Sequence, residues 1–219
     1  MAVLGVDGWR GRWVGALLDG RRVTLLALAD VAAVLAVPDA DVVAIDMPIG
    51  LSDDGARACD VQARAQLGRA GSSVFPAPLR PVLTCPDYAT ACAVSRTASG
   101  KALSVQAWNL VPAIRSVDDA LGDPPRSDVV EVHPELAFRA LDERVRDPKV
   151  TARGLAQRMA ALARVMDVDL LDAPPLIPAI DALDACAAAW SAQRIADGTA
   201  ETFADGSIDG RGRPMRICF

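Results

Sequence analysis

Aromatic side chains make up only 4% of this chain, so its core has to be assembled from close-packed alanine, valine and leucine. No strip of alternating rings and basic residues is present to stack nucleic-acid bases. Basic charge is not in excess either: the net charge is −5 and the isoelectric point is near 4.9. That balance argues against a general nucleic-acid coat protein, which presents a basic face. It leaves a nuclease open, because clustered metal-binding acids add negative charge that an ion offsets. The five cysteines (Cys59, Cys85, Cys92, Cys186 and Cys218) contain no C-x-x-C pair and are odd in number. They read as reduced, buried small hydrophobes of a cytoplasmic protein rather than as a disulfide framework or zinc site. No basic-then-apolar signal peptide opens the chain, and no apolar run is long enough to span a bilayer, so no membrane association is expected. Internal repeats and low-complexity segments are absent. What is present is a globular composition, 52% hydrophobic and 23% charged, over 219 residues. That length suits one core fold carrying a sizeable insertion.

The chain begins with the apolar run Ala2-Val3-Leu4-Gly5-Val6, closing on Asp7. It reads as a strand ended by a turn that Gly8 and Gly11 bracket. Arg12–Leu18 reads as a second strand, and Asp19-Gly20 as a hairpin signal before a third, Val23–Leu28. Asp30 is a fitting N-cap for a short helix to Val37. Val42-Val43-Ala44-Ile45 repeats the opening pattern, an unbroken apolar run that closes on Asp46 before Met47-Pro48. From 49 to 126 no clear strand appears. Helices are expected over 57–68, 87–98 and 103–109, with a proline-punctuated loop over 72–81, and this stretch reads as a largely helical insertion. Residues 127–133 form the next strand, followed by a helix over 135–141 with Pro134 in its first turn. Thr151 caps a longer helix with apolar positions at Leu155, Met159, Leu162 and Met166. The last helix spans Ala179–Ala196, with Gly198 as its C-terminal glycine and an alanine stripe suited to close approach. The tail from 209 to 219 reads as a turn and a short edge strand. The expected order, βββαβαβα, is the RNase H-like topology: an α/β fold with a mixed five-stranded sheet and helices on both faces. The expectation is a single domain over 1–219, with the insertion at 49–126 between strands 4 and 5.

In that topology strand 1 lies beside strand 4, so Asp7 and Asp46 become neighbours. Two such carboxylates repel unless protonated or bound to a cation. Hard oxygen donors favour Mg²⁺ or Mn²⁺. Asp181 and Asp184, three apart on the last helix, share a face and can join them, and Glu131 can reach in from the fifth strand. The expected metal ligands are therefore Asp7, Asp46, Asp181 and Asp184, and the expected catalytic acids Asp7, Asp46, Glu131 and Asp184. Ordinary structural roles compete with each. Asp7 can cap a glycine turn, Asp46 can form an Asx turn before Met-Pro, and Asp181 and Asp184 suit a helix's first turns on electrostatic grounds. Glu131 can pair with an arginine of the insertion, and His133, the single histidine, reads as structural or as a phosphate ligand.

Several motifs, in order, resemble an uncharacterised family, domain of unknown function 429. They are Gly5-Val6-Asp7-Gly8 with Trp13-Val14; Ile45-Asp46-Met47-Pro48-Ile49-Gly50-Leu51; Ser73-Val74-Phe75-Pro76-Ala77-Pro78; Lys101-Ala102-Leu103-Ser104-Val105-Gln106; Glu131-Val132-His133-Pro134-Glu135; and Asp181-Ala182-Leu183-Asp184-Ala185. The similarity runs from residue 3 to about 196. The family looks like RNase H-like nucleases, so the resemblance implies that fold and a metal-dependent phosphodiesterase. It also implies that Ser73, Arg80, Lys101, Gln106, His133 and Glu135 line a substrate cleft. One departure is that the usual RNase H carboxylate on the first helix has no counterpart in 30–37, which brings the acid set closer to that of Holliday-junction resolvases. The expected function is a cytoplasmic Mg²⁺- or Mn²⁺-dependent nuclease or phosphodiesterase acting on nucleic acid or a nucleotide. The rivals are a non-catalytic binding module on the same fold and, further off, an actin-like phosphotransferase, for which the chain lacks a second glycine-rich phosphate loop.

Overall fold

The opening run is apolar at successive positions, and the computed structural model, which describes residues 1–219, makes it a central strand whose Val3 and Leu4, on opposite faces, are both fully buried. β1 (Ala2–Trp9) pairs antiparallel with β2 (Arg12–Asp19), and β2 with β3 (Arg22–Leu28). β4 (Ala40–Ile45) runs parallel to β1, and β5 (Val129–Glu131) parallel to β4, giving the order β3-β2-β1-β4-β5. The molecule is thus an α/β fold with a mixed five-stranded sheet and seven α-helices. A second, two-stranded sheet pairs β6 (Thr202–Ile208) with β7 (Pro214–Cys218).

Three differences from the sequence expectation concern where elements stop. β1 does not end at Asp7 but continues to Trp9, so Asp7 sits inside the strand opposite Val14 and the turn is Arg10-Gly11. The fifth strand keeps only three residues, and His133 instead takes the N-cap position of α5 (Pro134–Leu141). The tail holds a full hairpin, because β6 supplies a partner that its polar, glycine-containing sequence did not advertise. Other boundaries agree: Asp30 caps α1 (Val31–Leu35) by accepting the Ala33 N–H at 2.8 Å, and Thr151 caps α6 (Ala152–Leu162) through Gly154 at 3.0 Å.

The chain forms two compact units. The first comprises Met1–Met47, Ser127–Glu201 and Cys218–Phe219. It holds the five-stranded sheet with α1, α5, α6 and α7 (Ala179–Ala196), and α7 lies across β1, β2 and β4. The close approach is set by Gly5, where a Cβ would stand 2.0 Å from the Ala189 nitrogen and 2.2 Å from the Ala185 oxygen. The alanine stripe of α7 is the other half of this fit, and Ala185, Ala188, Ala189 and Ala192 are fully buried.

The second unit comprises Pro48–Arg126 and Thr202–Ile217. It holds α2 (Ala58–Leu67), α3 (Tyr88–Ser99), α4 (Val105–Ala120) and the β6–β7 hairpin, with β6 against α2. α4 runs on through Pro112, eleven residues past the end expected at 109. All five cysteines are free thiols, four of them buried and Cys85 partly exposed.

Candidate metal centre

Strand register and pleat build the site. Gly5 pairs with Ala44 and Val6 with Ile45, so the next positions, Asp7 and Asp46, are neighbours on the face that α7 covers. The Asp46 N–H donates to the Val6 carbonyl at 2.9 Å, carrying the parallel ladder one residue past β4. From the helix side, Asp184 is buried one turn from Ala188 and Asp181 lies one turn earlier, partly exposed.

These carboxylates feel one another. The Asp7 pKa stands well above the usual carboxylate range, raised first by burial and then by Asp46, Asp184 and Asp181. Asp46 is pushed up to about 7, by burial first and the Asp184 charge second. Asp181 and Asp184 are also raised, burial again leading. One cation stands among them: Lys149 Nζ donates to Asp184 Oδ2 at 2.6 Å and opposes the rise at all four acids. Burial pulls the Lys149 pKa down, but Asp184, Asp7 and Asp46 outweigh it and hold the ammonium charged. Next to Asp184, the Cys186 thiol is pushed up to about 12 by burial and then by that carboxylate, so it stays protonated and is no nucleophile.

Behind Asp184 lies a second ion pair. Arg158, only 2% exposed, donates to Glu135 Oε2 at 2.5 Å and stacks over the Phe138 ring at 5.2 Å. Arg139 holds the other Glu135 oxygen at 3.4 Å. Both Arg158 and Glu135 act electrostatically on Asp184.

The structure therefore brings together Asp7, Asp46, Asp181 and Asp184, with Glu135 at the margin. It does not bring Glu131 to them. Glu131 pairs with Ile45, so its side chain leaves the sheet on the face opposite Asp46. His133 lies in the same unit, partly buried at the start of α5. Ser73, Arg80, Lys101 and Gln106 all belong to the second unit. There Ser73 Oγ donates to the Ala70 carbonyl at 2.8 Å, and Lys101 and Gln106 are exposed. Arg80 is engaged by acids: it donates to Asp118 at 3.0 Å and to Asp209. Asp118 also receives Arg211 at 2.7 Å and Arg213 at 2.6 Å. Burial raises the Asp209 pKa, but the N–H groups of Arg213, Leu51 and Arg211, with the Arg80 charge, hold it below its ordinary value. These cations tie α4 to the hairpin.

Two site residues went unread in the sequence. Lys149 lies in an irregular stretch where no periodicity applies. Arg158 did leave a signal, since it falls three after Leu155 and four before Leu162, on the helix's inward face. Met159, expected there, is 44% exposed.

No group of three His, Cys, Asp or Glu side chains stands as a ready-formed metal site. The donor chemistry nevertheless fits a hard divalent cation, because Asp7, Asp46 and Asp184 are all-oxygen donors whose mutual repulsion one lysine only partly relieves.

A mixed sheet in this order, with acids converging from two strands and a helix, defines a class of α/β proteins with a carboxylate centre. The chain belongs to the family described as Protein of unknown function (DUF429), whose profile matches residues 5–207. No curated protein and no solved structure matches it.

Proposed function

We propose that the first unit is an RNase H-like domain and that the protein is a Mg²⁺- or Mn²⁺-dependent phosphodiesterase, a nuclease in the widest sense. The observation that carries this reading is the meeting of Asp7, Asp46 and Asp184, drawn from a first strand, a fourth strand and a last helix, with their pKa values raised by burial and one another. The strand order β3-β2-β1-β4-β5 supports the fold assignment. Asp7, Asp46 and Asp184 would hold the ion, with Asp181 at its open side. Bound there, a divalent ion supplies charge stabilisation to a phosphodiester and lowers the pKa of an attacking water. The chain's own residues do the rest. The strand carboxylates are fixed by the parallel ladder, α7 is seated on Gly5, and Arg158 with Glu135 braces the region behind Asp184.

Asp7→Asn keeps the side chain's size and removes its charge. It is expected to lower Mn²⁺-dependent cleavage of a labelled oligonucleotide by at least ~100-fold, the upper end of what even outer-shell changes cost. Retained cleavage in that variant refutes the role. One observation favours a second reading, a non-catalytic module: Lys149 already neutralises Asp184. Absence of calorimetric heat and of thermal stabilisation with millimolar Mn²⁺, in folded protein, decides for it.

A further inference from the structure

A concavity lies in the first unit, at the tip of the β1–β2 hairpin. It is a recess of ≈ 350 Å³ lined by Trp9, Arg10, Arg12, Leu176 and Pro178. Its size falls within the range of small-molecule sites. Its lining combines an indole, a leucine and a proline with two arginines.

The backbone holds the arginines there. Trp9 pairs with Arg12, leaving Arg10-Gly11 as a two-residue turn with φ of +48° and +76°. Positive φ at both positions is the mark of a type I′ turn, in which Asn-Gly is the usual pair and arginine is a strained choice. Leu176, on the facing loop, also has positive φ, +75°, and is 86% exposed. Neither arginine has an acidic partner within salt-bridge distance, unlike Arg80, Arg158, Arg211 and Arg213. Trp9 packs against the core, and its Nε1 is buried without a hydrogen-bond partner, so packing fixes the ring.

The recess adjoins the carboxylate centre. Asp7 lies two residues before Trp9 on the same strand face, and Arg10 acts electrostatically on Asp181. Pro178 is the residue from which α7, the helix carrying Asp181 and Asp184, departs.

We propose that this recess is the subsite for a single-stranded nucleic-acid segment, with Arg10 and Arg12 on consecutive phosphates and the Trp9–Leu176–Pro178 wall against a base. The inference rests on the phosphodiesterase reading and names its substrate. Guanidinium groups match phosphate oxygens in a fork, and an indole face stacks on any base. A flexible strand can lay one nucleotide in so small a recess, whereas a duplex cannot without unpairing.

The test is fluorescence anisotropy of a labelled ten-residue oligothymidylate at low ionic strength with EDTA present, so that binding is read apart from cleavage. Arg10→Asn converts the turn to Asn-Gly, which favours the hairpin while removing the charge. Arg12→Gln removes the second charge, and Arg22→Gln, on the exposed far-edge strand β3, is the control for losing an arginine charge away from the recess. The double variant R10N/R12Q is expected to bind roughly tenfold more weakly, with a salt slope shallower by about 1.4 for two lost single-strand phosphate contacts. The control is expected to match the unaltered protein. Equal loss in the control, unchanged affinity in the double variant, or no binding by the unaltered protein each overturns the proposal. Competition by thymidine monophosphate as effective as by the strand overturns the strand assignment in favour of a free nucleotide, and equal competition by duplex overturns the single-strand preference. Failure of the phosphodiesterase reading shows separately, as strand binding that survives while Mn²⁺ produces no cleavage.

Discussion

A carboxylate whose pKa is raised on folding binds more protons in the native than in the unfolded state, and its stabilising contribution is full below the unfolded pKa. For Asp46 that contribution is lost as pH rises from about 4 through the folded value of about 7. The metal-free protein is therefore expected to lose stability across this window, and Asp46→Asn to flatten the loss. Denaturant midpoints measured at pH 5 and pH 8 check it, and an Asn variant with the same pH slope as the parent contradicts it. Lys149 has the opposite role, since it is the ammonium that makes Asp184 tolerable. Lys149→Met should destabilise the metal-free protein by about 1–2 kcal/mol, less than for a fully buried pair because the lysine side chain is 48% exposed. Equilibrium urea unfolding measures the difference.

Among the elements, α7 packs directly across β1, and Gly5 is where their backbones meet. Gly5→Ala puts a methyl group into helix backbone that has no side chain to swing aside. A loss of about 3 kcal/mol or more is expected, above the ordinary cost of overpacking, and thermal unfolding should reveal it. Between α5 and α6, Arg158→Met removes the cation from Glu135 and should cost about 3 kcal/mol, the lower end for breaking a buried ion pair. At this scale much was legible in advance. Apolar runs closing on an aspartate placed β1 and β4, Gly198 marked the end of α7, its alanine stripe foretold the close approach, and Asp30 and Thr151 marked helix starts. Illegible were features that depend on what lies across the fold. Nothing local distinguishes Lys149 from a solvated lysine, and the polar strand β6 exists because β7 pairs with it. The side to which Glu131 points depends on its register with Ile45, which its own sequence leaves open. Of the acids read as a site, the four aspartates do meet: the topology read from the element order sets β1 beside β4, and the i, i+3 spacing on α7 puts Asp181 and Asp184 on one face.

In the whole molecule, charge is segregated by use. The first unit gathers acids around a single lysine, while the second gathers Arg80, Arg211 and Arg213 around Asp118 and Asp209. Asp118→Asn strips three guanidinium groups of their main acceptor. Hydrogen exchange should then quicken in α4 and in the 202–217 hairpin, while β1, β2 and β4 keep their protection. Uniform loss of protection throughout the chain would show that the two units do not open separately.

The hairpin's late place in the chain also bears on biosynthesis. Leu51, Arg80 and Asp118 find their partners at Asp209 and Arg213, separated from them by 158, 129 and 95 residues. A ribosome releasing this polypeptide has let out all of the helical stretch 48–126 long before the groups that fasten it emerge. Until then Leu51, Arg80 and Asp118 lack these distant partners, so full closure of that half waits on synthesis of the hairpin.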